Sequence, residues 1–419
     1  MTDFPLIHWS EDGIEKSARW RSETSAAPPK KTLIADDSIK ADVAYRLACE
    51  GTALLWRGDF QNARQLLQAM ARRVDEKPRK AKKIPATANG HDDVATPDKE
   101  SRHARFRLPT PPPAGEGANE PLLGLHLKEA FHLHRQAQSQ RARTLGMLLL
   151  PFNADHSVPL RRAPDVAPAC FAVYGAVAEP YIASLRGLQG IIGAYEWRKN
   201  GVEIPALAAR IHPFYGVFAP IRNEYIGLVH EAPLPKSVTS DSVAFDIGTG
   251  TGVLAAVLAR RGIKQIVATD QDSRALLCAN ENLSRMGLVG SVKVIQADLF
   301  PPGRAALIVC NPPWVPARPS SPLEHAVFDP DSRMLLGFLY GLAAHLEKEG
   351  EGWLILSDLA EHLGLRTRAF LLEAIDAAGL KVLGKIDVKP QHPRVSDTND
   401  PLHHARAAEL TSLWRLAAK

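Results

Sequence analysis

The run Val243-Ala244-Phe245-Asp246-Ile247-Gly248-Thr249-Gly250-Thr251-Gly252-Val253-Leu254-Ala255 decides how the second half of this 419-residue chain is organised. Val243–Ile247 is apolar apart from Asp246 and reads as a short buried strand. A helical pattern starts at once at Val253, so three alternating glycines form the turn between them. Glycine lets the backbone bend sharply and lets a ligand approach where a Cβ would collide. The spacing is G-x-G-x-G after an acid, not the G-x-G-x-x-G of a nucleotide pyrophosphate site. Taken alone, it also describes any tight turn from strand to helix.

The next strands give the loop its meaning. Apolar runs at Gln265–Thr269, Val292–Gln296, Ala306–Cys310 and Trp353–Leu356 alternate with helix-length amphipathic segments, and two more candidate strands follow at Lys381–Val388 and Ser412–Leu416. This alternation predicts an α/β fold, a seven-stranded, mostly parallel sheet with helices on both faces, spanning residues 226–419. Ligands of such sheets bind at the carboxyl ends of the strands. There the second strand carries Asp270, which can accept both hydroxyls of a ribose and would repel a 2′-phosphate. The third carries Asp298-Leu299, an acceptor for an exocyclic adenine amine and an apolar side chain to pack on the ring. Each acid alone suits a loop cap; in this order and spacing they suit the parts of an adenosine.

The fourth strand ends in Cys310-Asn311-Pro312-Pro313-Trp314. Two prolines fix the backbone and remove two N–H donors, leaving nearby carbonyls as acceptors. With the Asn311 side-chain oxygen, that makes two acceptors able to grip an NH₂ group, and Trp314 offers a flat face for a planar substrate. An amide or exocyclic amine is a poor nucleophile because its lone pair is delocalised. Holding its hydrogens aligns that lone pair on an electrophile, so orientation and electrostatics do the work without a strong base.

With these four strand ends, residues 210–419 resemble the class I S-adenosylmethionine-dependent methyltransferases of Rossmann-like fold that carry an N/D-P-P-aromatic motif. The chain is most similar to their small-domain members, including release-factor glutamine methyltransferases and RNA N-methyltransferases. The resemblance implies S-adenosylmethionine as cofactor, with Asp246, Gly248, Gly250 and Gly252 around its methionine part, Asp270 on the ribose and Asp298 on the adenine N6. It implies that Asn311 and the Pro312 carbonyl grip the acceptor nitrogen while Trp314 stacks against it. The segment Phe218-Ala219-Pro220-Ile221-Arg222-Asn223-Glu224 is similar to the family's Pro-Arg-rich approach to the cofactor site. It departs by an inserted residue between Pro and Arg and by Asn in place of Thr, and Trp314 replaces the more usual Tyr.

Upstream, residues 1–75 read as an N-terminal helical segment, with 38–75 forming a helical hairpin too small to stand alone. Residues 76–120 read as a disordered, basic and Pro-rich linker. Between Lys77 and Arg107 its nine basic and four acidic residues carry an excess equal to the whole chain's net charge of +5, so the catalytic half is near neutral. Residues 121–225 read as a mixed auxiliary region for substrate recognition, with helix signals at 122–149 and 182–198. No stretch is apolar enough for a membrane helix, and Met1-Thr2-Asp3 opens neither a basic nor an apolar leader, so a cytoplasmic protein is expected. Cys49, Cys170, Cys278 and Cys310 lie far apart, and His126, His132 and His134 do not share a helical face, so no metal site is expected. His392, His403 and His404 have no evident partner set, and Glu324, Asp329 and Asp331 read as caps for a helix beginning near Ser332.

Three functions compete. The first is N-methylation of a glutamine-like protein side-chain amide. The second is N-methylation of an exocyclic base amine such as adenine N6 in RNA or DNA, which suits the basic linker and an aromatic face. The third is a non-catalytic cofactor-binding module, which has no need of Asn-Pro-Pro-Trp. The near-neutral catalytic half weighs slightly toward a protein acceptor, and the long N-terminal half toward a macromolecular one.

Overall fold

The computed structural model describes residues 4–22, 24–75, 120–319, 322–391, 397–398 and 400–419, with the backbone alone at 120–126, 322 and 323. The expected linker at 76–120 therefore lies outside the described residues, apart from the start of one helix at Glu120.

The described residues upstream of 201 form one α/β unit. Its elements are β1 (Leu6–Glu11), β2 (Ile14–Trp20), β3 (Lys31–Ala35), α1 (Ala41–Cys49), β4 (Thr52–Trp56), α2 (Phe60–Asp75), α3 (Glu120–Leu145), β5 (Leu148–Phe152), α4 (Ala167–Tyr174), β6 (Tyr181–Ser184) and α5 (Leu185–Asn200). The six strands make one sheet in the order β1-β2-β6-β5-β4-β3. This corrects the helical hairpin expected at 38–75: a strand separates its two helices. It also corrects the boundary between 1–75 and 121–225, because β4 pairs with β5 across it. The physical reason lies in Thr52-Ala53-Leu54-Leu55-Trp56, every residue of which is buried. A strand covered on both faces shows no alternation, and a short apolar run has no period to tell it from buried helix. Leu54 and Trp56 enter the apolar layer under α1, α2 and α5, while Ala53 and Leu55 join Ile7, Trp9 and Trp20 on the other face.

A two-stranded ribbon, β7 (Val202–Ile204) with β8 (Ala209–Ile211), and α6 (Glu224–Glu231) lead into the second unit. It contains β9 (Val243–Ile247), α7 (Val253–Arg260), β10 (Gln265–Asp270), α8 (Ser273–Arg285), β11 (Val292–Gln296), β12 (Ala305–Cys310), α9 (Arg333–His345), β13 (Leu346–Ser357), α10 (Leu359–His362), α11 (Arg368–Ala377), β14 (Leu380–Val388), α12 (His403–Ala408) and β15 (Thr411–Ala418). The sheet order is β11-β10-β9-β12-β13-β15-β14. Strands β9 to β13 pair in parallel, and β15 runs antiparallel between β13 and β14. Side chains alternate across the sheet. Ala244, Leu307 and Val309 join a core with α6 and α7, whereas Phe245, Ile247, Ile308 and Cys310 face α9 and α11. Among the described residues no helix is long and apolar enough to cross a membrane.

Candidate functional site

The chain runs from β9 outward through β10 to β11, then returns to place β12 on the other side of β9. This reversal opens a crevice at the carboxyl ends of β9 and β12. Cys310 pairs with Ile247, so Gly248 and Asn311 are the first residues past the two strands and lie side by side at the mouth of the crevice.

The glycine turn is built for close approach. Gly248, Gly250 and Gly252 have φ of 73°, 55° and 81°, the left-handed region that a Cβ disfavours. A Cβ on Gly252 would press on the Ala279 backbone of α8 at 3.2 Å, and one on Gly248 would strike the Met334 methyl of α9. A Cβ on Gly250 would meet nothing within 4 Å, so this part of the turn opens outward. Asp246 is buried beneath the turn, its Oδ2 accepting from Thr249 Oγ1 at 2.6 Å and from the Ala255 amide at 3.0 Å. Burial pushes its carboxyl up to about 6 against these two donors. It braces the turn against the first residues of α7.

At the end of β10, Asp270 accepts the Gly250 amide on Oδ2 and the Asp272 amide on Oδ1, each at 3.0 Å. Burial raises its pKa as well. Asp298, after β11, is largely exposed and meets Arg333 Nη2 at 3.3 Å. Leu299 has a positive φ of 73°; its carbonyl accepts from Thr269 Oγ1 at 2.6 Å, and its side chain packs against Gly337 of α9. The fold thus gathers Asp246, the three glycines and Asp270 tightly, with Asp298 and Leu299 at the margin.

Across the crevice, the Trp314 indole N–H donates to Asn311 Oδ1 at 2.9 Å. Pro312 is buried. The Trp314 ring packs against three apolar layers, so it is a wedge as much as a surface. The Arg222 guanidinium lies over that ring, 5.1 Å from its centroid. Asp329 caps α9, accepting the amides of Met334 and Leu335 at 3.0 and 3.1 Å, as its sequence position suggested. Glu324 instead pairs with Arg135 of α3 at 3.1 Å.

That pair brings the first unit to the crevice. Arg135 also donates to the Arg318 carbonyl at 2.8 Å and stacks on Phe328 at 3.8 Å. Phe131 packs with Phe328, Val315 and Leu363. Helix α3 therefore borders the loop that follows Trp314. A second contact lies at α8, where Arg198 of α5 meets Glu281 at 2.9 Å.

Sequence reasoning missed Glu409, which binds Arg222 Nη2 at 3.0 Å, and Arg366, which donates to the Trp314 carbonyl at 3.2 Å. Nothing local flags either, since each is distant in sequence from its partner. His392 lies outside the described residues; His403 and His404 lie side by side with ring centroids 5.7 Å apart. Among the described residues no three His, Cys, Asp or Glu side chains are grouped to hold a metal ion.

A nucleoside-bearing cofactor fits this geometry, because the open backbone at Gly250 stands directly beside the fixed Asp270 carboxylate. Comparison with known proteins gives the same class: residues 229–362 match the methyltransferase small domain family. The chain is 42% identical over 80 residues to the ribosomal protein L11 methyltransferase of Pelotomaculum thermopropionicum, covering 19% of this chain and 26% of that protein. It is 31% identical over 180 residues to the release factor glutamine methyltransferase of Cereibacter sphaeroides, covering 40% of this chain and 62% of that one. It is 34% identical over 135 residues to the tRNA1(Val) (adenine(37)-N6)-methyltransferase of Pedobacter heparinus, covering 29% of this chain and 57% of that one. The chain thus spans between 26% and 62% of the length of these relatives. Residues 229–362 are thus similar to a methyltransferase domain, a class whose cofactor is S-adenosylmethionine.

Proposed function

We propose that this chain is an S-adenosylmethionine-dependent N-methyltransferase acting on a planar amide or amine nitrogen of a macromolecule, with a glutamine-like protein side-chain amide as the favoured acceptor. The observation that carries this reading is the place of Asn311, beside Gly248 at the reversal of the sheet, with its amide oxygen fixed by the Trp314 N–H. When bound, S-adenosylmethionine supplies a methyl group activated by the adjoining sulfonium charge.

On the cofactor side, Asp270 is set to hold the ribose and Asp298 the adenine amine, with Leu299 beside the ring. Asp246, Gly248, Gly250 and Gly252 shape the turn around the methionine part. On the acceptor side, the Asn311 oxygen has two lone pairs, and Trp314 takes one. The other, with the Pro312 carbonyl, can accept the two hydrogens of an NH₂ group. Held so, the nitrogen presents its lone pair toward the cofactor side of the crevice, and after transfer it releases a proton to water. Catalysis by orientation and fixed dipoles suffices for such a step. The likeness to a glutamine methyltransferase supports an amide, and α3 beside the acceptor loop supports a partner large enough to touch both units.

The test is transfer of tritiated methyl from S-adenosylmethionine into lysate of a strain lacking the protein, followed by separate nuclease and protease digestion. Label released by protease supports the amide. Label released by nuclease assigns the acceptor to a base amine, and no transfer into any fraction overturns the enzymatic reading.

A further inference from the structure

We propose that Arg222 is a positioning residue for methyl transfer, acting through Trp314 to hold the Asn311 amide in one orientation. This rests on the reading of Asn311 as the acceptor grip. Arg222 precedes α6, far in sequence from the Asn-Pro-Pro-Trp motif, yet its guanidinium covers the Trp314 ring. Two carboxylates fix it there: Nε donates to Glu224 Oε1 at 2.8 Å and Nη2 to Glu409 Oε1 at 3.0 Å. Glu409 is buried and also accepts from Ser357 Oγ at 2.6 Å. Ser357 ends β13, the strand beside β12, so the arginine is anchored to the frame that presents Asn311. Removing a guanidinium and two carboxylates from water is unfavourable, and such groups repay that loss only through well-fixed geometry.

The backbone of Trp314 is held as well. Arg366 is 6% exposed, and its Nη2 donates to the Trp314 carbonyl. Ring, carbonyl and indole N–H of one residue are thus each engaged by a different partner. The indole matters because it is a donor only. An Asn amide has two orientations of nearly equal shape, with oxygen and NH₂ exchanged. A fixed N–H can donate only to the one that turns oxygen toward it. With the amide flipped, Asn311 would present donors to an acceptor that itself brings donors. Holding the ring therefore selects the productive amide, and a cation over an aromatic face is a directional way to hold a ring.

A double-mutant cycle with Arg222→Met and Trp314→Phe tests this, using the lysate transfer assay with wild type as reference. Phe keeps a ring and removes the N–H. Each single variant is expected to lose roughly 10²-fold in initial rate, with S-adenosylmethionine affinity by calorimetry unchanged, and the double variant to be no worse than the weaker single. Losses that multiply would overturn the relay. The indole ¹⁵N–¹H spectrum gives a reading independent of activity, because seven tryptophans yield one signal each. Arg222→Met is expected to shift the Trp314 signal and speed its exchange with solvent while the other six stay in place. A Trp314 signal left unmoved overturns the proposal. Should Arg222→Met unfold, collapsing all seven signals, Arg222→Lys decides, with a smaller shift and a partial loss of rate expected. Wild type that transfers no label refutes the enzymatic reading, and the indole spectrum still decides the positioning.

Discussion

Thr249 Oγ1 lies 2.6 Å from Asp246 Oδ2, and the same carboxylate oxygen takes the Ala255 amide. One buried acid thus ties the apex of the glycine turn to the start of the helix it feeds. The arrangement has a signature in pH. Burial raises the Asp246 carboxyl from 3.8 to about 6. A carboxyl raised on folding contributes stability that is fully present below its unfolded value and is lost as pH rises through about 6. Wild type should therefore gain on Asp246→Asn as pH falls from 7 to 4, by up to about 3 kcal/mol. Thermal melts of both proteins across that range are the measurement. A constant gap between them would place the titration elsewhere.

Asp270→Ala removes the acceptor of the Gly250 amide and leaves the apolar layers untouched. Cofactor affinity should fall roughly 10- to 100-fold, as for a lost charge-assisted hydrogen bond, with the melting temperature little changed. Titration calorimetry with S-adenosylmethionine decides it, and unchanged affinity removes Asp270 from the ribose.

Gly250→Ala and Gly252→Ala should separate binding from packing. Both place a Cβ at positive φ, a strain of about 1–2 kcal/mol. Only Gly252 adds a squeeze against Ala279 of α8. Gly252→Ala should melt lower, whereas Gly250→Ala should lose more cofactor affinity than stability. Equal effects on both readouts would mean that the open side of Gly250 faces no ligand.

Asn311→Ala should keep cofactor binding and lower transfer roughly 10²- to 10³-fold, the usual effect of removing one preorganised polar group from a reacting centre. A wild-type rate in the lysate assay would end the acceptor role of this residue.

Removing residues 1–120 should not leave a well-behaved protein. The cut takes β4 and β2 away from β5 and β6, exposing the edges of two buried strands. Aggregation on size exclusion is the expected outcome. A soluble, cofactor-binding product would show that 121–200 folds without its sheet partners.

What could be read from the sequence, and what could not, follows physical lines. Strands β9, β10 and β12 announce themselves because apolar runs stop at Gly, Asp or Pro, residues whose backbone or side-chain chemistry ends a strand. The strand ends then carry the candidate ligand groups in chain order. Thr52–Trp56 gave no such sign, being buried on both faces, and the β1–β2 hairpin carries exposed Leu6 and Ile14 that blur its alternation. Arg222 stood inside a segment singled out for its likeness to the family. Its partner Glu409 lies at the far end of the chain, and long-range ion pairs leave no periodic trace.

Glu409 and β15 have a consequence for the order of events during synthesis. Strand β15, which follows every other strand in chain order, is an interior member of its sheet, flanked by β13 and β14, and Glu409 shortly precedes it. The residues that bear the proposed chemistry leave the ribosome well before the segment that completes their surroundings. Until Thr411–Ala418 slots between two strands already made, β14 has no neighbour and Arg222 lacks its buried counter-charge. The chain therefore withholds a finished crevice from its own nascent form until β15 takes its place between β13 and β14.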